Sequence, residues 1–136
     1  MNQKAQDIGM TSSKFFNANG LTIYKQSTNE TFMNTASCQD MLKLIERIYE
    51  YPAILRYTSS RKASSRYGEL SNGNRLLGMV QGVNGMKTGY TNAAGHCLSF
   101  SCIRNGRRLI GVLTGFSKRQ NCFDCAAKLI EWGYKN

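Results

Sequence analysis

The strongest constraint on the fold is the segment CLSFSCIRNGRRLIGVLTGF, residues 97–116. Two largely apolar runs flank Asn105-Gly106, a dipeptide typical of two-residue β-hairpin turns because both positions accept a positive φ. Closing that turn fixes the register, so that four pairs face each other: Arg104 and Arg107, Cys102 and Leu109, Phe100 and Gly111, and Leu98 and Leu113. One face of the hairpin is therefore predicted to be apolar.

The other face of the hairpin is mixed, and we expect another element to cover part of it. It carries Ser99, Ser101, Ile103, Ile110 and Val112. A helix is predicted over SCQDMLKLIERIYEYP, residues 37–52, in which Met41, Leu42, Ile45, Ile48 and Tyr49 line one face. Ser37 and Asp40 form a Ser-x-x-Asp capping box at its start, and Pro52 is expected to end it.

A second helix is predicted near the end of the chain, over residues 121–134. Its apolar side carries Phe123, Ala126, Ala127 and Ile130, which suits it to cover the hairpin, and Gly133 is expected at its end. The first ten residues also read as helix, stopping at Gly9. Residues 53–80 have a weak, polar pattern that indicates an extended segment and a loop.

Residues 82–90, GVNGMKTGY, follow as a further strand. A strand, a hairpin and covering helices predict the α+β class, with an antiparallel sheet packed against helices. The chain has no repeat, linker or low-complexity run, so residues 1–136 are interpreted as one domain.

The charge balance is strongly basic, at +10. Five basic residues fall between positions 56 and 75, against a single acidic residue. Such a patch attracts anions, yet no nucleic-acid motif accompanies it, so a solvated basic face is expected and no nucleic-acid partner is predicted.

No apolar run approaches the roughly 20 residues that span a bilayer, and residues 1–10 do not read as a signal peptide, which predicts a cytoplasmic product without a membrane anchor.

Five cysteines, Cys38, Cys97, Cys102, Cys122 and Cys125, are an odd number that fits reduced thiols. Cys122 and Cys125 form a Cys-x-x-Cys pair. A zinc site would need Cys97 and Cys102 to join them, but residues five apart on a strand point to opposite faces. No metal and no cofactor are predicted.

The triplet Lys87-Thr88-Gly89 lies on the predicted strand. An ammonium and a hydroxyl suit a substrate carboxylate, and a glycine lets a peptide backbone approach the strand. A phosphate loop is excluded, since that motif needs glycine directly before lysine and Met86 stands there. His96, the only histidine, has no partner for Ser-His-Asp or Cys-His catalysis.

Six stretches in succession are similar to the serine-type D-alanyl-D-alanine carboxypeptidases, the low-molecular-mass penicillin-binding proteins. They are MNQKAQDIGM, FFNANGL, TASCQDMLKLIERIYEYP, NRLLGMVQGVNGMKTGYTNAAGHCL, GRRLIGVLTG and FDCAAKLIEWGY. The resemblance covers nearly the whole chain. It implies part of a β-lactamase/transpeptidase-like fold, and a serine acylated by the D-Ala-D-Ala end of a peptidoglycan stem peptide or by β-lactams.

The resemblance also implies roles for particular residues. Lys87 would support the electrostatics and proton transfer of catalysis, Thr88 would bind the substrate carboxylate, and Gly89 would let the substrate dock against the strand. Thr91 and Arg119 are further expected substrate-binding residues. Arg119 is included because many members carry arginine where this chain has Cys122, one turn later.

Two other family motifs, Ser-x-x-Lys and Ser-x-Asn, lie upstream of the part that this chain resembles. Ser59-Ser60-Arg61-Lys62 has the first spacing, but it lacks the helical pattern that brings lysine to serine, so the chain alone is expected to be inactive. The missing N-terminal half is therefore a candidate partner. The family acts outside the cytoplasmic membrane. A non-catalytic binder of peptidoglycan peptide or another anionic ligand, and a decayed gene product, remain alternatives.

The resemblance has a consequence for stability too. In the family, strands from the start of the domain pair beside the second strand of the hairpin, so residues 107–116 are expected to form an exposed edge here. Because exposed apolar edges pair with other chains, we predict a marginally stable or self-associating chain.

Overall fold

A computed structural model describes all residues of the chain, 1–136. Five helices are present: α1 (Asn2–Asp7), α2 (Cys38–Ile48), α3 (Pro52–Ser59), α4 (Leu76–Met79) and α5 (Arg119–Lys135). Seven strands are β1 (Ile23–Lys25), β2 (Glu30–Phe32), β3 (Lys62–Ser65), β4 (Gly68–Ser71), β5 (Val83–Thr91), β6 (Gly95–Arg104) and β7 (Arg107–Phe116). All strand pairs are antiparallel, which confirms the α+β class.

The central sheet has the order β5-β6-β7. Asn105 and Gly106 turn the chain between β6 and β7 with φ of 50° and 76°, the positive values that this turn requires. The four residue pairs predicted from the turn are all observed. Turn chemistry was therefore sufficient to set the register of the hairpin.

The main core lies between the sheet and α5. Leu98, Phe100 and Cys102 on β6 are buried against Phe123 and Ile130 on the helix. The position expected to end this helix was wrong, because Gly133 lies inside α5, which runs to Lys135. A Cβ at Gly133 would approach Leu109 Cδ1 to 2.8 Å, so this glycine lets the helix pack closely on the sheet.

The opposite face of the sheet is covered by α2, as expected from its mixed composition. Ser99 and Ser101 are buried there, and the Tyr49 hydroxyl is hydrogen-bonded to Ser101 Oγ. Ser37 caps α2 by accepting a hydrogen bond of 3.1 Å from the Asp40 N–H. The Asp40 carboxylate does not complete the predicted capping box. It accepts instead from Ser12 N–H and Ser13 Oγ, both at 2.7 Å, and so ties the N-terminal segment to α2.

The prediction for residues 53–80 was wrong in part. α2 ends at Ile48, and Pro52 begins α3, where a proline at the first helical position has no N–H to leave unpaired. The β3–β4 hairpin and α4 follow. α3 has only eight residues, fewer than the stretch over which a helical pattern is usually read, and none of its side chains is fully buried.

β7 has a hydrogen-bonded neighbour on one side only, as predicted for residues 107–116. Beside it, Trp132 and Leu129 on α5 are exposed, and both border a cavity of about 210 Å³ that β7 also lines. The chain contains no helix with the length and apolar character needed to cross a bilayer.

Candidate active site

Lys87, Thr88 and Gly89 lie in the middle of β5, opposite Ser99, Leu98 and Cys97 of β6. β5 is the other edge of the central sheet, so no strand pairs with its outer side. A Cβ at Gly89 would meet no atom within 4 Å. The triplet is therefore presented on an open strand edge, the arrangement that allows an extended peptide to pair with it.

Lys87 points to the side of the sheet that carries Ser99. Its backbone N–H donates to Ser99 Oγ at 3.3 Å, and the same hydroxyl donates back to the Lys87 carbonyl at 3.3 Å. The exposed ammonium donates to the Thr88 carbonyl at 2.7 Å, and none of the chain's ion pairs involves it. Its positive charge is thus not neutralised by a carboxylate of the chain.

Thr88 points to the other side, toward the start of α5. Thr88 and Arg119 both border the backbone of Gly73: a Cβ at Gly73 would lie 3.1 Å from Thr88 Oγ1 and 3.3 Å from Arg119 Nη2. Arg119 Nη2 donates to the Gly73 carbonyl at 2.7 Å, and its guanidinium lies 5.6 Å from the centre of the Phe123 ring. A hydroxyl and a guanidinium that border the same glycine are suitable groups for binding a carboxylate.

The sequence did not reveal that Gly73 contacts Arg119 and borders Thr88. Its loop is fixed by Asn72, whose side-chain amide donates to the Ser60 carbonyl at 2.9 Å and to the Thr58 carbonyl at 3.3 Å. Because Gly73 acts through its carbonyl and its lack of a side chain, the one available signal was the turn-forming composition of Asn72-Gly73-Asn74.

Two cavities flank the triplet. The larger cavity, about 580 Å³, lies between the sheet and residues 20–36 and is lined by Lys87, Thr88, Gly89 and Thr91. The smaller cavity, about 260 Å³, is lined by Thr88, Gly89, Arg119, Cys122 and other residues of β5, β6 and α5. Thr91 also accepts a hydrogen bond from the Ala94 N–H at 3.1 Å, which stabilises the turn between β5 and β6.

Cys122 occupies the position where a family arginine was expected. Its side chain is 2% exposed, and burial raises the pKa of its thiol, to which Cys97 and Cys125 add. A neutral thiol supplies no charge for a carboxylate. Arg119, one turn earlier on α5, borders the same cavity and brings a guanidinium to Thr88.

The remaining sequence candidates are not brought together. Ser59 ends α3 and donates to the Arg56 carbonyl at 3.2 Å, whereas Lys62 lies on β3 and pairs with Glu69 at 2.7 Å. The two side chains are therefore engaged elsewhere and do not form a serine-lysine pair.

His96 stacks against Tyr90 with ring centres 4.5 Å apart. No three His, Cys, Asp or Glu side chains are grouped where they could hold a metal ion.

Nearly the whole chain is similar in sequence to known proteins. The chain is 29% identical over 139 residues to D-alanyl-D-alanine carboxypeptidase DacF of Bacillus subtilis, covering 98% of the chain and 34% of that protein. It is 31% identical over 141 residues to D-alanyl-D-alanine carboxypeptidase DacB2 of Mycobacterium tuberculosis, covering 98% of the chain and 46% of that protein. The chain thus spans less than half the length of these relatives.

Solved structures show the same fold. Penicillin-binding protein D2 of Listeria monocytogenes, in its cefotaxime-bound form, superposes with a TM-score of 0.87 at 30% identity, over 98% of this chain and 53% of that one. D-alanyl-D-alanine carboxypeptidase of M. tuberculosis gives a TM-score of 0.84 at 27% identity, over 99% and 52%. The sequence model of the family matches residues 1–117. The chain therefore belongs to the D-alanyl-D-alanine carboxypeptidase family.

Proposed function

We propose that this chain supplies the Lys-Thr-Gly strand and the carboxylate pocket of a serine-type D-Ala-D-Ala carboxypeptidase. The observation that carries this proposal is the convergence of Thr88 and Arg119 at Gly73, beside an open strand edge. A peptide that pairs with β5 next to Gly89 would place its terminal carboxylate near that hydroxyl and guanidinium. The substrate class is the D-Ala-D-Ala end of a peptidoglycan stem peptide.

Each residue has a role in the proposed reaction. Thr88 and Arg119 hold the terminal carboxylate, Gly89 admits the peptide backbone, and Thr91 shapes the end of the strand. The Lys87 ammonium, which forms no ion pair within the chain, stabilises negative charge near the reacting carbonyl and assists proton transfer. A serine attacks the carbonyl of the penultimate D-alanine, the terminal D-alanine leaves as the amine, and water hydrolyses the acyl-serine ester.

We propose that the serine comes from the remainder of the family's catalytic domain, because the Ser-x-x-Lys spacing in this chain, Ser59 and Lys62, does not form a serine-lysine pair. We therefore propose that residues 1–136 are inactive alone and active together with the remainder of the family's catalytic domain. That remainder is the proposed partner, and the proposed place of action is outside the cytoplasmic membrane. β-Lactams, which acylate the same serine in the family, are the proposed inhibitors.

Acylation by a fluorescent penicillin tests this proposal. The chain is compared alone and as a chimera, joined to the part of the Listeria D2 protein that it does not cover. We expect no labelling of the chain and labelling of the chimera. Mass mapping of an adduct to a serine of the isolated chain, Ser59 first among them, would refute the proposal.

Three variants of the chimera test the residue roles: Lys87→Ala, Thr88→Val and Arg119→Ala. The matched control is Lys118→Ala, which removes an exposed charge next to Arg119. We expect Lys87→Ala to lower the acylation rate by about 100-fold or more, as for the loss of one transition-state contact. Thr88→Val and Arg119→Ala should chiefly raise KM for a peptide ending in D-Ala-D-Ala. Equal kinetics in Lys87→Ala and Lys118→Ala would contradict the assignment.

A second candidate function is non-catalytic binding of an anionic peptide. The observation in its favour is that the Thr88–Arg119 pair is formed within this chain and needs no serine. Titration calorimetry of the chain alone with a diacetylated Lys-D-Ala-D-Ala peptide measures it. Binding that disappears in Arg119→Ala would support this function, and its absence at millimolar peptide would dismiss it.

A further inference from the structure

Tyr49, at the C-terminal end of α2, contacts a residue of each strand of the central sheet. Its hydroxyl donates to Asn84 Oδ1 on β5 at 3.3 Å and is also hydrogen-bonded to Ser101 Oγ on β6. The guanidinium carbon of Arg108 on β7 lies 3.9 Å from the centre of the Tyr49 ring. Ser101 is fully buried, so the hydroxyl cluster lies against the sheet and away from water.

β5 has a β-bulge at the residue that accepts from this tyrosine. Val83 pairs with Cys102, and the next paired residue, Gly85, pairs with Ser101. Asn84 is therefore an extra residue on β5, without a partner of its own on β6. Bulges are common next to active sites, where they change the direction of side chains. This bulge lies on the same strand as the Lys-Thr-Gly triplet and shortly before it.

The bulge determines which face of the sheet each residue of the triplet occupies. Residues that pair across antiparallel strands share a face, and a slip of one residue moves a side chain to the other face. With the bulge, Lys87 pairs with Ser99 and Thr88 pairs with Leu98. Without it, Lys87 would pair with Leu98, whose side chain is buried in the core beside α5. The Thr88 hydroxyl would then lie on the α2 face, away from Arg119.

Contacts from two helices hold the bulge in place. The bond from Tyr49 is the only hydrogen bond that the Asn84 side chain makes within the chain. The next residue, Gly85, is confined by α3, since a Cβ there would lie 3.3 Å from Thr58 Oγ1. A bulged residue is left out of the ladder of backbone hydrogen bonds, so contacts from other elements stabilise it.

We propose that Tyr49 is a positioning residue of the active site and acts through the bulge at Asn84. Its hydroxyl keeps Asn84 outside the regular pairing of β5 with β6. The register that results places Lys87 on the α2 face of the sheet and Thr88 on the α5 face. The catalytic part of this inference rests on the proposed function, whereas the effect on the register does not.

Tyr134 provides a matched control. Its hydroxyl donates to the carbonyls of Cys102 and Arg107 at 2.8 and 2.9 Å, and its side chain is half-buried, as is that of Tyr49. Tyr134→Phe thus removes a tyrosine hydroxyl that binds the same hairpin from α5, but it leaves the bulge unchanged. Differences between Tyr49→Phe and Tyr134→Phe therefore report on the bulge and not on the loss of a hydroxyl in general.

The first measurement is amide hydrogen exchange of the isolated chain, followed by mass spectrometry of peptides that cover β5. We expect Tyr49→Phe to raise exchange in residues 83–91 by about fivefold or more, as for the loss of one hydrogen bond, and to leave exchange in α5 unchanged. Tyr134→Phe should leave residues 83–91 within about twofold of wild type. Equal exchange of these residues in the two variants would overturn the proposal.

The second measurement is the kinetics of the chimera with the Listeria D2 segment. Tyr49→Phe should lower the acylation rate by about tenfold or more and raise KM for the D-Ala-D-Ala peptide, because it displaces both Lys87 and Thr88. Tyr134→Phe should keep both parameters within about twofold of wild type. Far-UV circular dichroism at the assay temperature establishes that each variant is folded. Kinetics that are the same in the two variants would refute the positioning role.

Two substitutions at Asn84 test the route from the tyrosine to the triplet. Asn84→Asp keeps an oxygen that accepts from Tyr49, so its kinetics should stay near wild type, whereas Asn84→Ala should reproduce the losses of Tyr49→Phe. The double variant should lose no more than either single variant, since both remove the same bond. Equal losses in Asn84→Asp and Asn84→Ala would exclude this route.

The two proposals fail in different ways. An unsubstituted chimera that penicillin does not label would contradict the proposed function. The exchange measurement on the isolated chain needs no catalysis and would still decide whether Tyr49 holds the register of β5.

Discussion

Replacing Gly111 by alanine should destabilise the chain through one buried ring. Gly111 on β7 lies opposite Phe100 on β6, whose side chain is 4% exposed. A Cβ at Gly111 would meet three atoms of that ring, and the farthest of them would lie 2.9 Å away. Carbon atoms in contact prefer about 3.5–4.0 Å, so the ring has to move within a closely packed core.

The magnitude follows from where the ring lies. Overpacking a core costs typically about 1–3 kcal/mol. Phe100 belongs to the buried cluster that joins the sheet to α5, so it has no solvent to move into, and we expect a loss near 2 kcal/mol. With a urea m-value of about 2 kcal/mol per molar, the unfolding midpoint should fall by about 1 M.

Gly89→Ala provides the matched control in the same sheet. Its Cβ would meet nothing within 4 Å, so stability should stay the same or rise by about 0.5 kcal/mol, since alanine loses less backbone freedom than glycine. Urea unfolding followed by far-UV circular dichroism, under reducing conditions, measures both variants. A change below about 0.5 kcal/mol in Gly111→Ala would refute the packing argument.

Three further outcomes are expected. Ser37→Ala should cost about 1 kcal/mol by removing the cap of α2, and Ser37→Asn should retain most of it in the same urea assay. Burial raises the pKa of Asp40, but hydrogen bonds from Ser13 and Ser12 and the charge of Lys43 hold it below its ordinary value of 3.8. Its stabilisation is therefore present above that pH and lost as pH falls through the lower folded value, so Tm should drop below about pH 4 and drop less in Asp40→Asn. The open edge of β7 should give concentration-dependent self-association by sedimentation velocity, whereas a monomer that unfolds sharply and reversibly would contradict it.

Local chemistry made the hairpin and α2 predictable. Asn105-Gly106 dictates its own turn, and Ser37 caps the helix through an N–H three residues away, so neither depends on distant packing. By contrast, α3 has only eight residues, and both it and the β3–β4 hairpin expose most of their side chains, so no long apolar face marks them in the sequence. Gly133 was misread because a glycine near a helix end resembles a cap, and the approach of Leu109 that requires it comes from another element.

The candidate site also has one part that could be predicted from the sequence and another that depends on three-dimensional packing. The position of Lys87, Thr88 and Gly89 on one strand could be predicted from the triplet and the surrounding strand pattern. The meeting of Thr88 with Arg119 depends on how α5 begins against the sheet, and the part of Gly73 depends on a backbone carbonyl. Three-dimensional packing creates these contacts, and no spacing along the chain encodes them.

The connections within the central sheet also bear on how quickly the triplet acquires its surroundings. Residues 92–94 join β5 to β6, and Asn105-Gly106 joins β6 to β7, so each strand pairs with its immediate neighbour in the chain. Pairings between residues close in sequence lose little loop entropy and form fast. We expect the three strands to assemble before the contact of Asp40 with residues 12 and 13 closes, so that the Lys87 strand edge exists early in folding.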